Sequence, residues 1–170
     1  DLTEKQQHVA SILHSNSKQL QRRIEDLLSY SALQTDKFTL VKHPANLAII
    51  VGTVLQDQNL AIMNKGLRID LICPELMLDC DEFKIRTIVD NLLSNAVKFS
   101  PPASCIKIQA GKVGQSIQLD ITDAGAGIDE TDWDKVFEPF YQGRRVPDSH
   151  VRGTGLGLSI AREYALAHDG

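Results

Sequence analysis

Asp90-Asn91-Leu92-Leu93-Ser94-Asn95-Ala96-Val97-Lys98-Phe99 is the stretch on which the reading of this chain turns. At helical period, Ile88, Val89, Leu92, Ala96 and Phe99 fall on one broad apolar face, while Asn91, Asn95 and Lys98 follow at i, i+4 and i+7 along a neighbouring stripe. One face packs and the other displays two amides and an amine. A merely solvated stripe is better served by Glu, Lys, Gln or Arg, because Asn is a poor helix former whose side chain competes for the backbone. Two asparagines one turn apart therefore point to a task, with an idle polar helix edge as the alternative.

Outward from this helix, which runs from about Asp81 and is ended by Ser100-Pro101-Pro102, the chain alternates helices with pairs of short strands. Residues 1 to about 33 form a helix without Pro or Gly, with Leu13, Leu20 and Leu27 every seven positions and Ala10, Ser17, Ile24 and Ser31 between them. That narrow seam suits pairing with another helix better than packing on a globular core. Phe38 and Leu40 alternate with Lys37 and Thr39 as a short edge strand ending at His43-Pro44. From the N-cap Asn46, the stripe Leu47, Ile50, Val51, Val54, Leu55 and Ile62 marks a core helix that stops at Asn64-Lys65-Gly66. Leu67, Ile69 and Leu71 make a strand, and Leu76 and Leu78 a shorter one. Ile106, Ile108 and Ala110, a turn at Gly111 to Gln115, and Ile117, Leu119 and Ile121 make the clearest hairpin. A last helix runs from Ser159 to about His168, with Ile160, Tyr164 and Ala167 on one side. The order predicts an α+β fold: a two-layer sandwich of helices on a mixed, mostly antiparallel sheet, preceded by one long helix.

Composition narrows the classes of function. Eighteen basic against 22 acidic residues give a formal net charge of −4, which argues against nucleic acid as a partner. Cys73, Cys80 and Cys105 form no CxxC pair and have no His at metal-ligand spacing, so they read as inert thiols in a reducing compartment. No apolar run approaches the ~20 residues of a spanning helix, and no signal peptide is evident. The chain starts at Asp1 rather than Met and is expected to be a fragment.

Two glycine stretches carry further chemistry. Asp123 shares parity with Ile117, Leu119 and Ile121, so it is expected to point toward the packed face, where a carboxylate needs donors. Those donors are either local amides of the Asp123-Ala124-Gly125-Ala126-Gly127 turn or a ligand amine, such as that of adenine, lying against backbone that glycine leaves bare. Between Phe137 and Arg152 no period is usable, and Pro139, Gly143, Arg144, Arg145, Pro147 and His150 suggest a long loop able to act as a lid. Gly153-Thr154-Gly155-Leu156-Gly157-Leu158 then leads into the last helix, presenting N–H groups and a positive dipole end, an outline of a phosphate site. The spacing is not GxGxxG, and no GxxxxGK[ST] occurs.

From about residue 36 onward these elements, in this order, resemble the ATP-binding catalytic domain of bacterial sensor histidine kinases, members of the Bergerat-fold ATPase and kinase superfamily. Asn91 to Phe99 looks like the N box, Asp123 to Ile128 the first glycine box, Phe137-Glu138-Pro139-Phe140 the F box, and Gly153 to Leu158 the second glycine box. The resemblance implies that Asn95 coordinates Mg2+ bridging ATP phosphates, that Asn91 supports the phosphates or the metal's water shell, that Lys98 contacts phosphate, and that Asp123 accepts from the adenine amine. It carries Gly125, Gly127, Ile128, Phe137, Phe140, Arg144, Arg145, Gly153, Thr154, Gly155, Leu156, Gly157 and Leu158 into the ATP site. Mg2+ held by few protein groups plus phosphates agrees with its preference for oxygen ligands and retained waters.

Residues 1–35 resemble the second helix of the family's dimerisation and phosphotransfer hairpin, and residues 36–170 the catalytic domain. The phosphoaccepting motif of the first helix is absent, and neither His8 nor His14 stands in one, so this fragment is expected to bind ATP without phosphorylating itself. Gln142 stands where many relatives have a basic residue, so the lid's phosphate contact shifts to Arg144 or Arg145, or is missing. Relatives that hydrolyse ATP or phosphorylate serine place a Glu base where this chain has Asn91. A histidine acceptor needs less help, because neutral imidazole is already a competent nucleophile near neutral pH, which favours a histidine kinase over gyrase-like or anti-sigma-factor-like function; a docking module without catalysis is the rival of another class. Implied partners are ATP, a response regulator receiver domain and a second copy through the hairpin. The implied location is cytoplasmic, as part of an inner-membrane protein, without membrane contact by this fragment.

Overall fold

A computed structural model describes residues 3–35, 39–143 and 153–170. The chain divides into two compact units, Asp1–Phe38 and Thr39–Gly170. The first is helix α1, Glu4–Leu33, begun by a capping box in which the Thr3 hydroxyl accepts from Gln6 N–H and the Gln6 side chain accepts from Thr3 N–H. Its seam is uncovered: Leu13, Leu20 and Leu27 are 64%, 60% and 51% exposed.

The second unit contains β1 (His43–Asn46), α2 (Leu47–Asn64), β2 (Arg68–Ile72), β3 (Met77–Cys80), α3 (Glu82–Phe99), β4 (Cys105–Val113), β5 (Ser116–Thr122), a single 3-10 turn (Glu130–Asp132) and α4 (Gly157–Ala167). β1 and β3 form a two-stranded antiparallel ribbon, and β2-β4-β5 form a mixed sheet in which β2 runs parallel to β4 and β4 antiparallel to β5. The parallel pair is joined by a crossover that includes α3. Ile106 and Ile108 of β4, fully buried, meet Ile50, Val51 and Val54 of α2 and Val89, Leu93 and Val97 of α3 in one core. The α+β layering is as expected.

Several local expectations need correction. Of the strand expected to end at His43-Pro44, Lys37 and Phe38 lie outside the described residues and Thr39 to Lys42 are not in a strand; β1 is His43–Asn46, in which Pro44 pairs with Asp79, and it is tolerated because both strands of a two-stranded ribbon are edges. The hairpin strands run on through Gly111, with Lys112 opposite Ile117 and Val113 opposite Ser116, so the turn is only Gly114-Gln115, with Gly114 at φ +65°. In α3 the buried residues are Val89, Leu93, Ala96 and Val97, while Ile88 and Leu92 are half-buried and Phe99 is exposed. In α2 the buried face includes Gln58, whose amide donates to Asp90 Oδ1 at 2.7 Å. Only Cys80 among the thiols is buried; Cys73 and Cys105 are half-buried. Among the described residues no helix is long and apolar enough to cross a membrane.

Candidate functional site

α3 is the spine of the site and is held at both ends by side chains outside it. At its start Asp81, 7% exposed, caps the helix by accepting from Lys84 N–H at 3.2 Å; its other oxygen accepts from Val41 N–H at 3.2 Å and pairs with the Lys84 ammonium. Burial alone would raise the Asp81 carboxyl, but the Lys84 ammonium and the two amides outweigh it and hold the pKa below the usual carboxylate value. A depressed carboxylate contributes stability above its unfolded pKa, lost as pH falls through the folded one. At the other end Lys65 Nζ donates to the carbonyls of Val97, Lys98 and Ser100 at 2.9, 2.7 and 3.2 Å, placing a cation on the negative end of the helix.

Asn91, Asn95 and Lys98 lie half-buried along α3, where the Asn stripe was expected. Three glycines of the second stretch close on this region and on the F-box segment. A side chain at Gly157, the first residue of α4, would put its Cβ 2.7 Å from Asn91 Oδ1; one at Gly153 would lie 3.5 Å from Lys98 Nζ; one at Gly155 would lie 2.6 Å from the Phe140 carbonyl carbon. Gly155 is at φ +75° and Phe140 at +65°, and the Phe140 N–H donates to Gly155 O at 2.9 Å. Gln142 donates to Gly153 O at 2.8 Å, so its amide is used within the backbone. Thr154 Oγ1 accepts from Leu156 N–H at 3.3 Å, the Leu156 carbonyl accepts from Ser159 Oγ at 2.8 Å, and Leu156 is fully buried. Leu158 is half-buried in the first turn of α4. Burial pushes the Lys98 ammonium pKa down, and its Nζ lies 4.8 Å from the Phe99 ring centre.

The first glycine turn meets the far end of α3: a Cβ at Gly125 would lie 3.0 Å from Phe99 O. Asp123 is exposed rather than turned into the packed face, because β5 ends at Thr122 and the strand's parity goes no further. Its Oδ1 accepts from Gly125 N–H at 2.7 Å, the local-turn option. Gly127 sits at φ +71°, and exposed Ile128 accepts at its carbonyl from the Trp133 indole at 3.1 Å. Phe137 is 5.7 Å from the Arg162 guanidinium. The sequence reading passed over a buried anchor, Asp132, which accepts from Tyr141 Oη at 2.7 Å and so fixes the end of the F-box segment. The partners of Lys65 and Gln58 were not legible, since each lies on another element of the fold, and nothing in the sequence marked Asp132 as buried. Arg144 and Arg145, and most of the proposed lid, lie outside the described residues.

This donor set fits a polyphosphate. Asn91 Nδ2 is buried without a partner among the described residues, one of two such side-chain atoms, the other being Ser100 Oγ. The carboxamide that carries it lies beside the first turn of α4, with Oδ1 the atom nearest to Gly157, and the N-cap Leu156 supplies no side-chain acceptor. An orphaned amide donor, a desolvated ammonium and a trough that side chains would fill call for an anion. Among the described residues no group of three His, Cys, Asp or Glu side chains could hold a metal. A hard cation here would take Asn95 as its protein ligand and phosphate oxygens and water for the rest, within the habits of Mg2+.

The family model described as "Histidine kinase-, DNA gyrase B-, and HSP90-like ATPase" matches residues 80–170. This chain belongs to that family. The matched region begins at Cys80 and takes in α3, both glycine stretches and α4. Sensor histidine kinase GlrK of Escherichia coli K12 is 33% identical over 162 residues, covering 95% of this chain and 34% of that protein. Autoinducer 2 sensor kinase/phosphatase LuxQ of Vibrio parahaemolyticus is 30% identical over 179 residues, covering 98% of this chain and 20% of that one. The chain thus spans about a third or less of these relatives. Among solved structures, the histidine kinase AdeS of Acinetobacter baumannii superposes with TM-score 0.75 at 25% identity, over 98% of this chain and 75% of that one. Full-length ShkA, crystallised in complex with AMPPNP, gives 0.74 at 24% identity, over 98% of this chain and 35% of that one. The ATPase-family domain of this chain is thus shared with sensor histidine kinases.

Proposed function

We propose that this chain is the Mg-ATP-binding core of a two-component sensor histidine kinase. The observation that carries the reading is the meeting of Asn91 with the start of α4: its carboxamide, whose Nδ2 is buried without a partner among the described residues, lies against Gly157, and the Lys98 ammonium lies near Gly153. Phosphates would rest on the Gly153–Leu158 backbone and on Lys98, with Asn91 donating to a phosphate oxygen or to a metal-bound water. Asn95 would hold Mg2+, which would supply positive charge to offset that of the phosphates. At the other end Asp123, exposed beside Gly125 and Gly127, accepts from the adenine amine while the ring lies against the glycine backbone and Ile128.

The reaction is an in-line displacement at the γ-phosphorus. An imidazole nitrogen forms the N–P bond, the P–O bond to the β-phosphate breaks, and ADP leaves with the electron pair. No general base need stand at Asn91, because neutral imidazole brings its own lone pair. Asp90, the carboxylate beside it in sequence, is engaged by the Gln58 amide at 2.7 Å, which supports transfer to histidine over activation of water. Residues 1–35 then serve as the second helix of a dimerisation hairpin whose first helix carries the acceptor, and the phosphoryl passes on to an aspartate of a response regulator. The assembly would work in the cytoplasm, as part of an inner-membrane receptor.

Calorimetric titration with ATP, with and without Mg2+, tests this. Binding is expected to need the metal, and Asn95→Ala is expected to abolish Mg2+-dependent binding while circular dichroism stays unchanged. Equal binding by both proteins would sink the metal assignment, and no binding by the native chain would sink the nucleotide reading.

A further inference from the structure

The two helices that carry the phosphate-binding residues are also tied together away from those residues, by one imidazole. His168, the residue that closes α4, has Nε2 3.0 Å from the backbone N of Asp81 and Nδ1 2.7 Å from the carbonyl of Tyr164. A carbonyl only accepts, so Nδ1 carries the proton; the Asp81 N–H donates into the Nε2 lone pair, and the ring is the neutral Nδ1–H tautomer. Asp81 is the N-cap of α3, and its carboxylate binds Lys84, Lys84 N–H and Val41 N–H. One residue thus gathers the end of α4, the start of α3 and the segment leading into β1. The Tyr164 ring that supports this corner is buried and lies 6.0 Å from Lys84 Nζ.

We infer that His168 is a positioning residue for the nucleotide site: in its neutral form it sets the spacing of α3 and α4, and its protonation loosens that spacing. An imidazolium would turn an N–H toward the Asp81 N–H, two donors face to face, so the bond cannot survive the added proton. The charged and titratable groups on the elements at this corner are Asp81, Glu82 and Lys84 at the start of α3, Asp79 and Cys80 at the end of β3, Lys42 before β1 and His43, the first residue of β1, opposite Cys80, and Arg162, Glu163, Tyr164 and Asp169 toward the end of α4. Lys42 and Asp169 pair at 3.9 Å. The carboxylates favour a cation and the two lysines and Arg162 oppose it, but only the neutral ring accepts from Asp81. The link reaches the site through rigid elements. Asn91 and Gly157 are in contact, and His168 fixes the opposite end of the helix that Gly157 begins.

The inference rests on the ATP reading above, and its test separates the two. Mg-ATP affinity is measured by calorimetry from pH 8 to pH 5.5 for the native chain, His168→Gln, which keeps an acceptor that does not titrate, and His168→Phe, which has none. ATP's own titration cancels in the ratios. At pH 8 the Gln variant is expected to match the native protein and the Phe variant to bind about fivefold more weakly, the change that one net hydrogen bond yields. On acidification the native protein is expected to lose about fivefold more affinity than the Gln variant. Superimposed native and Gln profiles would overturn the inference and leave the ATP reading standing; no binding by the native chain at any pH would overturn both. A second measurement needs no variant. In the native protein, hydrogen exchange of the Asp81 amide is expected to quicken as the His168 ring resonances titrate, and exchange that ignores that titration would equally overturn the inference.

Discussion

Side chains added to the glycines around this site would meet very different surroundings. Gly127 has positive φ and open space around its missing Cβ, so Gly127→Ala is expected to cost only the backbone term, about 1 kcal/mol. Gly155 combines positive φ with Phe140 backbone 2.6 Å from that Cβ, and Gly155→Ala is expected to cost about 3 kcal/mol or more. Gly157 is helical, and its Cβ would meet only the Asn91 carboxamide; Gly157→Ala is expected to change stability by less than about 1 kcal/mol yet weaken Mg-ATP binding about tenfold by turning Asn91 aside. Urea unfolding and calorimetry on the three variants check the ordering, and an affinity loss that merely follows the stability loss would contradict it. The placement of the asparagine pair was legible because helical period sets residues i and i+4 on one stripe of α3. The orientation of Asp123 was not: alternation holds only while the strand lasts, and β5 stops one residue short of it.

At the level of elements, sequence periodicity served where burial is one-sided. α2, α3 and the β4–β5 hairpin stand close to where their stripes put them, and Asn46 caps α2 through Ala48 N–H at 3.0 Å. It served poorly at β1, where Pro44 looked like a stop, and in α3, where Phe99, expected on the apolar face, is exposed because the true core face is centred nearer Leu93 and Val97. The least legible feature is what holds α3 at its C-terminus. Lys65 looked like part of a helix-stop signal, and its three carbonyl partners lie across the fold. Lys65→Met keeps most of the stem and removes the charge, leaving those carbonyls and the helix dipole without their cation. A loss of about 2 kcal/mol is expected in urea unfolding, with Lys65→Arg recovering part of it. An unchanged midpoint for the Met variant would show that water replaces the ammonium.

On the scale of the whole chain, the core that supports the site lies within Thr39–Gly170, while α1 exposes its leucine seam. Residues 39–170 alone are therefore expected to unfold cooperatively and to bind Mg-ATP within about twofold of the full chain. A non-cooperative melt, or binding lost on removing the helix, would show that the nucleotide unit depends on it. The α+β layering was legible because helices and strand pairs alternate in an order with few packing solutions. What sequence order cannot express is contact between motifs far apart in the chain, and the pair formed by Asn91 and Gly157 has a consequence of that kind. The carboxamide of one occupies the room that a side chain on the other would claim, so the two positions are coupled in inheritance: a lineage that enlarges residue 157 displaces residue 91 unless that residue shrinks with it.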